Sequence, residues 1–178
     1  LCSVAVELGG YRMAWVGFAE HDAEKTVRHV AQAGTDKAFL DKLHITWDET
    51  ELGNGPTGTA IRNGRPCVAH GLQSDPRYQA WHTAAREQGI HSGISLPLRV
   101  DQTVLGALTI YSEDHEAFEA AEIELLSEMA EDLAYGISTL RTRIEHDAAQ
   151  ATIQRMAYYH ALTDLPQHPS LYTHLGEN

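Results

Sequence analysis

Eleven histidines and two cysteines are the side chains of this sequence best suited to hold a metal or act as nucleophiles. Their spacing withholds that chemistry. His21, His29, His44, His70, His82, His91, His115, His146, His160, His168 and His174 form no HExxH, and none has zinc-site spacing with a cysteine, so no metal is expected. Cys2 and Cys67 lack CxxC spacing and are too few for a disulfide scaffold, which suits a reducing, cytoplasmic setting. Without an evident resolving partner, Cys67 reads as an inert buried thiol rather than a redox nucleophile. The run DETELGNGPTGTAIRNG (48–64) is rich in glycine but lacks the lysine of GxxxxGK[ST], so it reads as a structural loop over a cavity. The pairs Glu49/Glu51 and Glu122/Glu124 fall on segments that read as solvated, and no acid–base dyad is expected.

The remaining chemistry is that of a binding wall. Tyr78 and Trp81 share a predicted helix, and with Trp47 and Tyr111 they supply aromatic surface for a small molecule, or else ordinary core. Cys67, Tyr78, Trp81, His82, Ser95 and Tyr111 are the candidate pocket residues. A lone imidazole such as His82 or His91 can ligate haem iron, but a polar wall or surface position is the plainer reading, so the expected ligand is a small molecule of unassigned identity and no cofactor is assigned.

These residues are positioned by the segment Ser92 to Ser112. Ile94, Leu96, Leu98 and Val100 alternate with Gly93, Ser95, Pro97 and Arg99; Val104, Gly106, Leu108 and Ile110 then alternate with Leu105, Ala107, Thr109 and Tyr111. Asp101-Gln102-Thr103 between them predicts a hairpin. One face is aliphatic and needs covering. The other, with Ser95, Ala107 and Thr109, is small enough to floor a cavity.

Around that hairpin the patterning predicts a helix ending near Leu8, strands over 11–19 and 25–33, a short helix over 36–43 and another over 57–62. A short strand over 65–69 follows. Ser74-Asp75-Pro76 then reads as a cap and first turn opening one helix over 77–88. From Phe118 the period becomes helical for about forty residues. Leu126, Leu133 and Leu140 recur at seven-residue spacing beside Ala130, Ile137, Ile144 and Ala151, a coiled-coil seam that Asp147 and Gln154 interrupt. At 1.5 Å per residue this helix spans roughly 58 Å, so its far half is expected to leave the globule and pair with a second copy. Leu133, Ile137, Leu140 and Ile144 are the candidate dimer contacts.

The chain of 178 residues has a net charge of -12 and an apolar fraction of 43%. That is globular composition without a basic patch, so a nucleic-acid partner is not expected. No run reaches the roughly 20 apolar residues of a membrane span. The start Leu1-Cys2-Ser3-Val4 carries no signal-peptide pattern and opens inside an apolar segment, as in a fragment of a longer protein.

Three stretches carry a resemblance: GGYRMAWVGFAE (9–20), ELGNGPTGTAIRNGRPCVA (51–69) and SGISLPL with VLGALTIYS (92–112). With the order of elements, they make residues 1 to about 135 similar to a GAF domain, the sensory relative of the PAS fold. The resemblance implies an α+β fold: a six-stranded antiparallel sheet with the terminal helices on one face and a roofed small-molecule pocket on the other. It also implies dimerisation through the long helix. The tail ALTDLP (161–166) looks like the DxLTGLPNR opening of GGDEF, or diguanylate cyclase, domains, with Asp164 in place of the glycine and Gln167-His168 in place of Asn-Arg. The expected organisation is a sensor over 1–138, a helical linker over 139–160 and the start of an output domain over 161–178. The expected function is the non-catalytic sensory input of a cyclic-di-GMP signalling protein, a cyclase or a phosphodiesterase, relaying a small-molecule signal through a homodimer. The alternatives are a ligand-free dimerisation scaffold and a small redox enzyme of the type of GAF proteins that reduce free methionine sulfoxide.

Overall fold

The computed structural model describes residues 1–34 and 37–163, in one unit over Leu1–Ser138 and a second from Thr139. The alternating segments become strands. β1 (Met13–Ala19), β2 (Val27–Gly34), β3 (Cys67–His70), β4 (Ser92–Val100) and β5 (Thr103–Ser112) form one sheet in the order β2-β1-β5-β4-β3. Every neighbouring pair is antiparallel. Asp101 and Gln102 alone turn β4 into β5, and Asp101 takes the left-handed backbone region with φ of 54°.

The resemblance implied six strands, whereas five form among the described residues. Past the helix α2 (Lys37–Asp41) the chain gives only the single bridge Thr26–Thr46. Asp48 explains why it stops there. Its carboxylate accepts from the hydroxyls of Thr46 (2.7 Å) and Thr50 (2.6 Å) and from the amide of Thr50 (3.1 Å), which folds these residues into a turn.

The sheet buries both faces, and each builds its own core. On one face Ile94, Leu96, Leu98, Leu108 and Ile110 pack against Cys2 and Ala5 of α1 (Cys2–Glu7) and against Leu126, Ala130 and Ala134 of the long helix α5 (Ala120–Thr163). Fully burying one such aliphatic side chain contributes about 1.5–3 kcal/mol. On the other face Met13, Trp15 and Ala107 meet Phe39, Leu40, Ile45, Ile61, Leu72, Tyr78, Ala85 and Ile90. The second set belongs to loops and short helices: α2, α3 (Pro56–Asn63), a 3-10 turn (Pro76–Trp81) and α4 (His82–Gln88).

The single helix expected over 77–88 is two pieces. Asp75 does cap its start, accepting from the Arg77 amide at 2.9 Å with Pro76 in the first turn. Tyr78 then leaves helical geometry at φ −111° and ψ 25°. Its ring is buried in the second core, and the chain bends to place it there.

The seven-residue seam is also divided. Leu126 and Ala130 lie in the first core, with Leu133 and Ile137 packed at its edge. Leu140 and Ile144 are 58% and 66% exposed, and every described residue from Thr139 to Leu162 is exposed. A helical stripe that suits a partner helix suits a sheet equally well, so the first half of the seam belongs to the domain's own core and only the second half is uncovered.

Candidate functional site

The second core is not filled. Between sheet and roof lies a cavity of about 30 Å³, counted as the volume open to the centre of a water molecule. α2 and the turn after it give Phe39, Leu43 and Ile45 to its wall; the start of α3 gives Gly55, Pro56 and Thr57; the bent segment gives Trp81, Ala84 and Ala85; Leu72, Ile90 and Tyr111 close it.

The floor is polar but internally satisfied. The hydroxyls of Thr57, Ser95 and Thr109 form a triangle with sides of 2.8, 2.7 and 3.2 Å. All three residues are buried, and each hydroxyl can donate once around the ring and accept once. Small side chains at 95 and 109 let α3 settle this close to the sheet.

The roof loop is held from α3. Arg62 Nη1 donates to the carbonyl oxygens of Gly53 (2.6 Å), Asp48 and Trp47 (3.4 Å), and Nη2 to Asn54 Oδ1 at 3.2 Å. Gly58 faces the same loop, where a Cβ would collide with the carbonyls of Gly53 and Thr46. The Asp48 carboxyl lies below its ordinary value because the Thr50 and Thr46 hydroxyls favour its ionised form.

Of the six residues singled out in the sequence, Trp81 and Tyr111 stand in the cavity wall. Burial pushes the Tyr111 phenol up to about 12, with the nearby Trp15 indole offsetting part of the shift. Tyr78 belongs to the surrounding core and not to the wall; burial raises its phenol as well. Ser95 lies one layer below, reaching the wall only through Thr57.

His82 and Cys67 are elsewhere. The His82 ring bonds the Asp75 carbonyl oxygen at 2.7 Å, which pins it to the backbone at the head of its own segment. Cys67 lines a separate surface cleft with Thr59, Asn63, Arg65, Pro66 and Val68. Burial raises its thiol, an effect that Arg77 and Arg62 only partly oppose, so the nucleophilic thiolate is disfavoured. The Cys2 thiol is raised by burial too. Trp47 is also off the wall: its Nε1 donates to the Glu20 carbonyl at 2.8 Å, with Lys25 Nζ 4.8 Å from the ring centre.

The sequence reading missed Phe39, Leu43, Ile45, Leu72 and Ile90 as wall residues. The signal for the first two was the apolar stripe of the short helix expected over 36–43, which marks a buried face without saying what it meets. Among the described residues no cluster of three or more His, Cys, Asp or Glu could hold a metal ion, and no helix is long and apolar enough to cross a membrane.

A five-stranded antiparallel sheet with helices on one face and a roofed cavity on the other is the GAF architecture, and the GAF domain family model matches residues 1–138. The chain belongs to that family. No curated protein matches it in sequence. Among solved structures it is similar to the free methionine-R-sulfoxide reductase of Neisseria meningitidis in complex with its substrate, at 20% identity and a TM-score of 0.64, covering 80% of this chain and 76% of that one. The GAF-B domain of DevS from Mycobacterium smegmatis is 22% identical with a TM-score of 0.57 over 80% and 93% of the two chains. A GAF domain/HD domain protein from Geobacter sulfurreducens is 15% identical with a TM-score of 0.63 over 79% and 89%. At these identities the likeness is one of fold.

Proposed function

We propose that this GAF domain is the cytoplasmic sensory input of a cyclic-di-GMP signalling protein, that a small molecule in the roofed cavity is its signal, and that α5 relays the signal within a homodimer. In this reading residues 1–138 sense, 139–160 link and 161–178 begin an output domain in the same chain. The ALTDLP tail supports the output; its residues from Asp164 on lie outside the described part.

The observation that carries the reading is that β4 and β5 serve both faces at once. Ser95 and Thr109 floor the cavity side, while Leu96, Leu108 and Ile110 seat α5 on the other. Anything that strains the floor bears on the seat of the helix. A ligand transmits through this connection only by binding one arrangement more tightly than the other. The exposed Leu140 and Ile144 fit a helix that closes on a second copy.

Native mass spectrometry of freshly purified protein tests the sensor reading. Retained mass that Trp81→Ala loses is the expected result; no retained mass, or equal retention in both proteins, overturns it. The cavity volume favours a second reading, a domain that binds nothing and only holds two chains together. The reductase fold supports a redox reading, which the raised thiols of Cys2 and Cys67 oppose. Turnover of methionine sulfoxide by the purified domain would decide for it.

A further inference from the structure

One polar group in the cavity wall has no task. The Trp81 indole Nε1 is buried without a hydrogen-bond partner, and an indole nitrogen can only donate. It lies against Gly55, another wall residue, where a Cβ would come within 2.8 Å of that nitrogen. The missing side chain at 55 is what lets the indole nitrogen pack this close to the backbone of the cavity wall.

The rest of the wall limits what can satisfy this donor. Phe39, Leu43, Ile45, Leu72 and Ile90 offer hydrocarbon, and no Asp, Glu, Lys, Arg or His lines the cavity. The Thr57 hydroxyl is already engaged by Ser95 and Thr109. An ionised ligand would lose its water and find no counter-charge, which is costly. The volume of about 30 Å³ is far below the several hundred Å³ of pockets that take drug-sized molecules.

We infer that the cavity takes a small uncharged molecule with a compact hydrocarbon body and a hydrogen-bond acceptor, such as a carbonyl oxygen, that receives the Trp81 Nε1 proton. This deepens the sensor reading and rests on it. Nucleotides, phosphates and carboxylates are the wrong class for these walls.

Cyclopentanone, cyclopentane and propionate separate the possibilities. The first two share a ring and differ in the acceptor, while the third carries a charge. The chain has three tryptophans, so nitrogen-15 spectra of the intact protein show three indole signals, and loss of one in Trp81→Phe identifies that of Trp81. Cyclopentanone should move this signal saturably and bind roughly fivefold to tenfold more tightly than cyclopentane, the worth of one net hydrogen bond. In Trp81→Phe the two rings should bind alike, and propionate should move nothing in either protein.

Equal binding of the two rings to the wild type overturns the assignment of the acceptor, as does an unmoved Trp81 signal with cyclopentanone. Propionate moving that signal overturns the uncharged class. If cyclopentanone fails while propionate shifts Ile45 and Ile90, the ligand class falls and the sensor reading stands. If none of the three shifts those signals and the purified protein retains no mass, both fall.

Discussion

The Tyr11 hydroxyl donates to Oε1 of Glu122, tying the entrance of β1 to the first turn of α5. The other oxygen of the same carboxylate accepts from the amides of Phe118 (2.8 Å) and Glu119 (3.3 Å), two donors that the start of a helix leaves without partners. Phe118 has φ of 73°, unusual for a bulky residue. Its ring stacks on Tyr11 with centroids 5.6 Å apart and planes 18° from parallel. One carboxylate and one phenol thus hold the turn from which α5 departs.

Tyr11→Phe should cost about 1 kcal/mol at neutral pH, a hydrogen bond to a charged acceptor discounted for partial exposure. Burial first, and Glu122 second, raise the Tyr11 phenol above its ordinary value of 10.0. A raised value means that folding favours the protonated form. Its contribution is therefore whole below pH 10 and is lost as pH rises through the folded-state value. Urea unfolding from pH 8 upward should show a shallower alkaline loss in Tyr11→Phe than in the wild type. Tyr78 and Tyr111 still contribute, so the limb shrinks without vanishing. An unchanged limb would refute the coupling.

Asp48→Asn should act at the opposite end of the scale. The Asp48 carboxyl is lowered from 3.8, so its contribution is present above that value and disappears as pH falls through the folded-state value. The variant should lose part of the acid-side slope of stability, read by thermal melts between pH 2 and 6. Asp22 and Asp75 are lowered as well and keep the remainder.

Gly55→Ala tests how tightly Trp81 is seated. The glycine has φ of −69°, which any residue adopts, so an alanine acts only through its contact with the indole. The expected cost is about 1–2 kcal/mol with a shift in tryptophan emission. In a Trp81→Ala background that cost should largely disappear. Full additivity of the two changes would mean that the indole does not rest on the glycine.

The sheet and the two characters of its faces were readable because alternation is a local property: Ser95 and Thr109 announce a thin face, Leu96 and Leu108 a thick one. The cavity wall was readable only in part. Trp81 and Tyr111 fall on it, but a periodic pattern does not say which turn of a roof helix touches the sheet. The bond of His82 back to Asp75 and the bend at Tyr78, whose ring is buried in the second core, redirect that segment. Phe39 and Ile45 reach the wall because the Thr26–Thr46 bridge and the Asp48 turn bring them in, interactions with no mark in the sequence period. For α5 the same stripe fits two partners, and only the fold divides Leu133 from Leu140.

Thr109→Val should cost about 1–3 kcal/mol by breaking two sides of the hydroxyl triangle. The triple change Thr57→Val, Ser95→Ala and Thr109→Val should cost less than the three single changes summed, since no polar group is then stranded. Chemical denaturation of all four variants measures this. A strictly additive series would show that the hydroxyls act independently.

Leu140→Asp should weaken self-association and leave the melting of the sheet unchanged, because the side chain is exposed. Leu133→Asp should instead lower stability by several kcal/mol, since Leu133 packs against the first core. Sedimentation and circular dichroism on both variants distinguish the two roles. Identical sedimentation of Leu140→Asp and a dimeric wild type would remove the helix-pairing proposal.

Arg62 reaches three carbonyl oxygens and an amide oxygen of the loop ahead of it. The course of that loop is thus dictated by a cation eight or more positions downstream, outside the loop itself. Anyone transplanting the ceiling of this chamber into another protein would have to carry the guanidinium along, for without it the graft would be a length of chain with no template to fold upon.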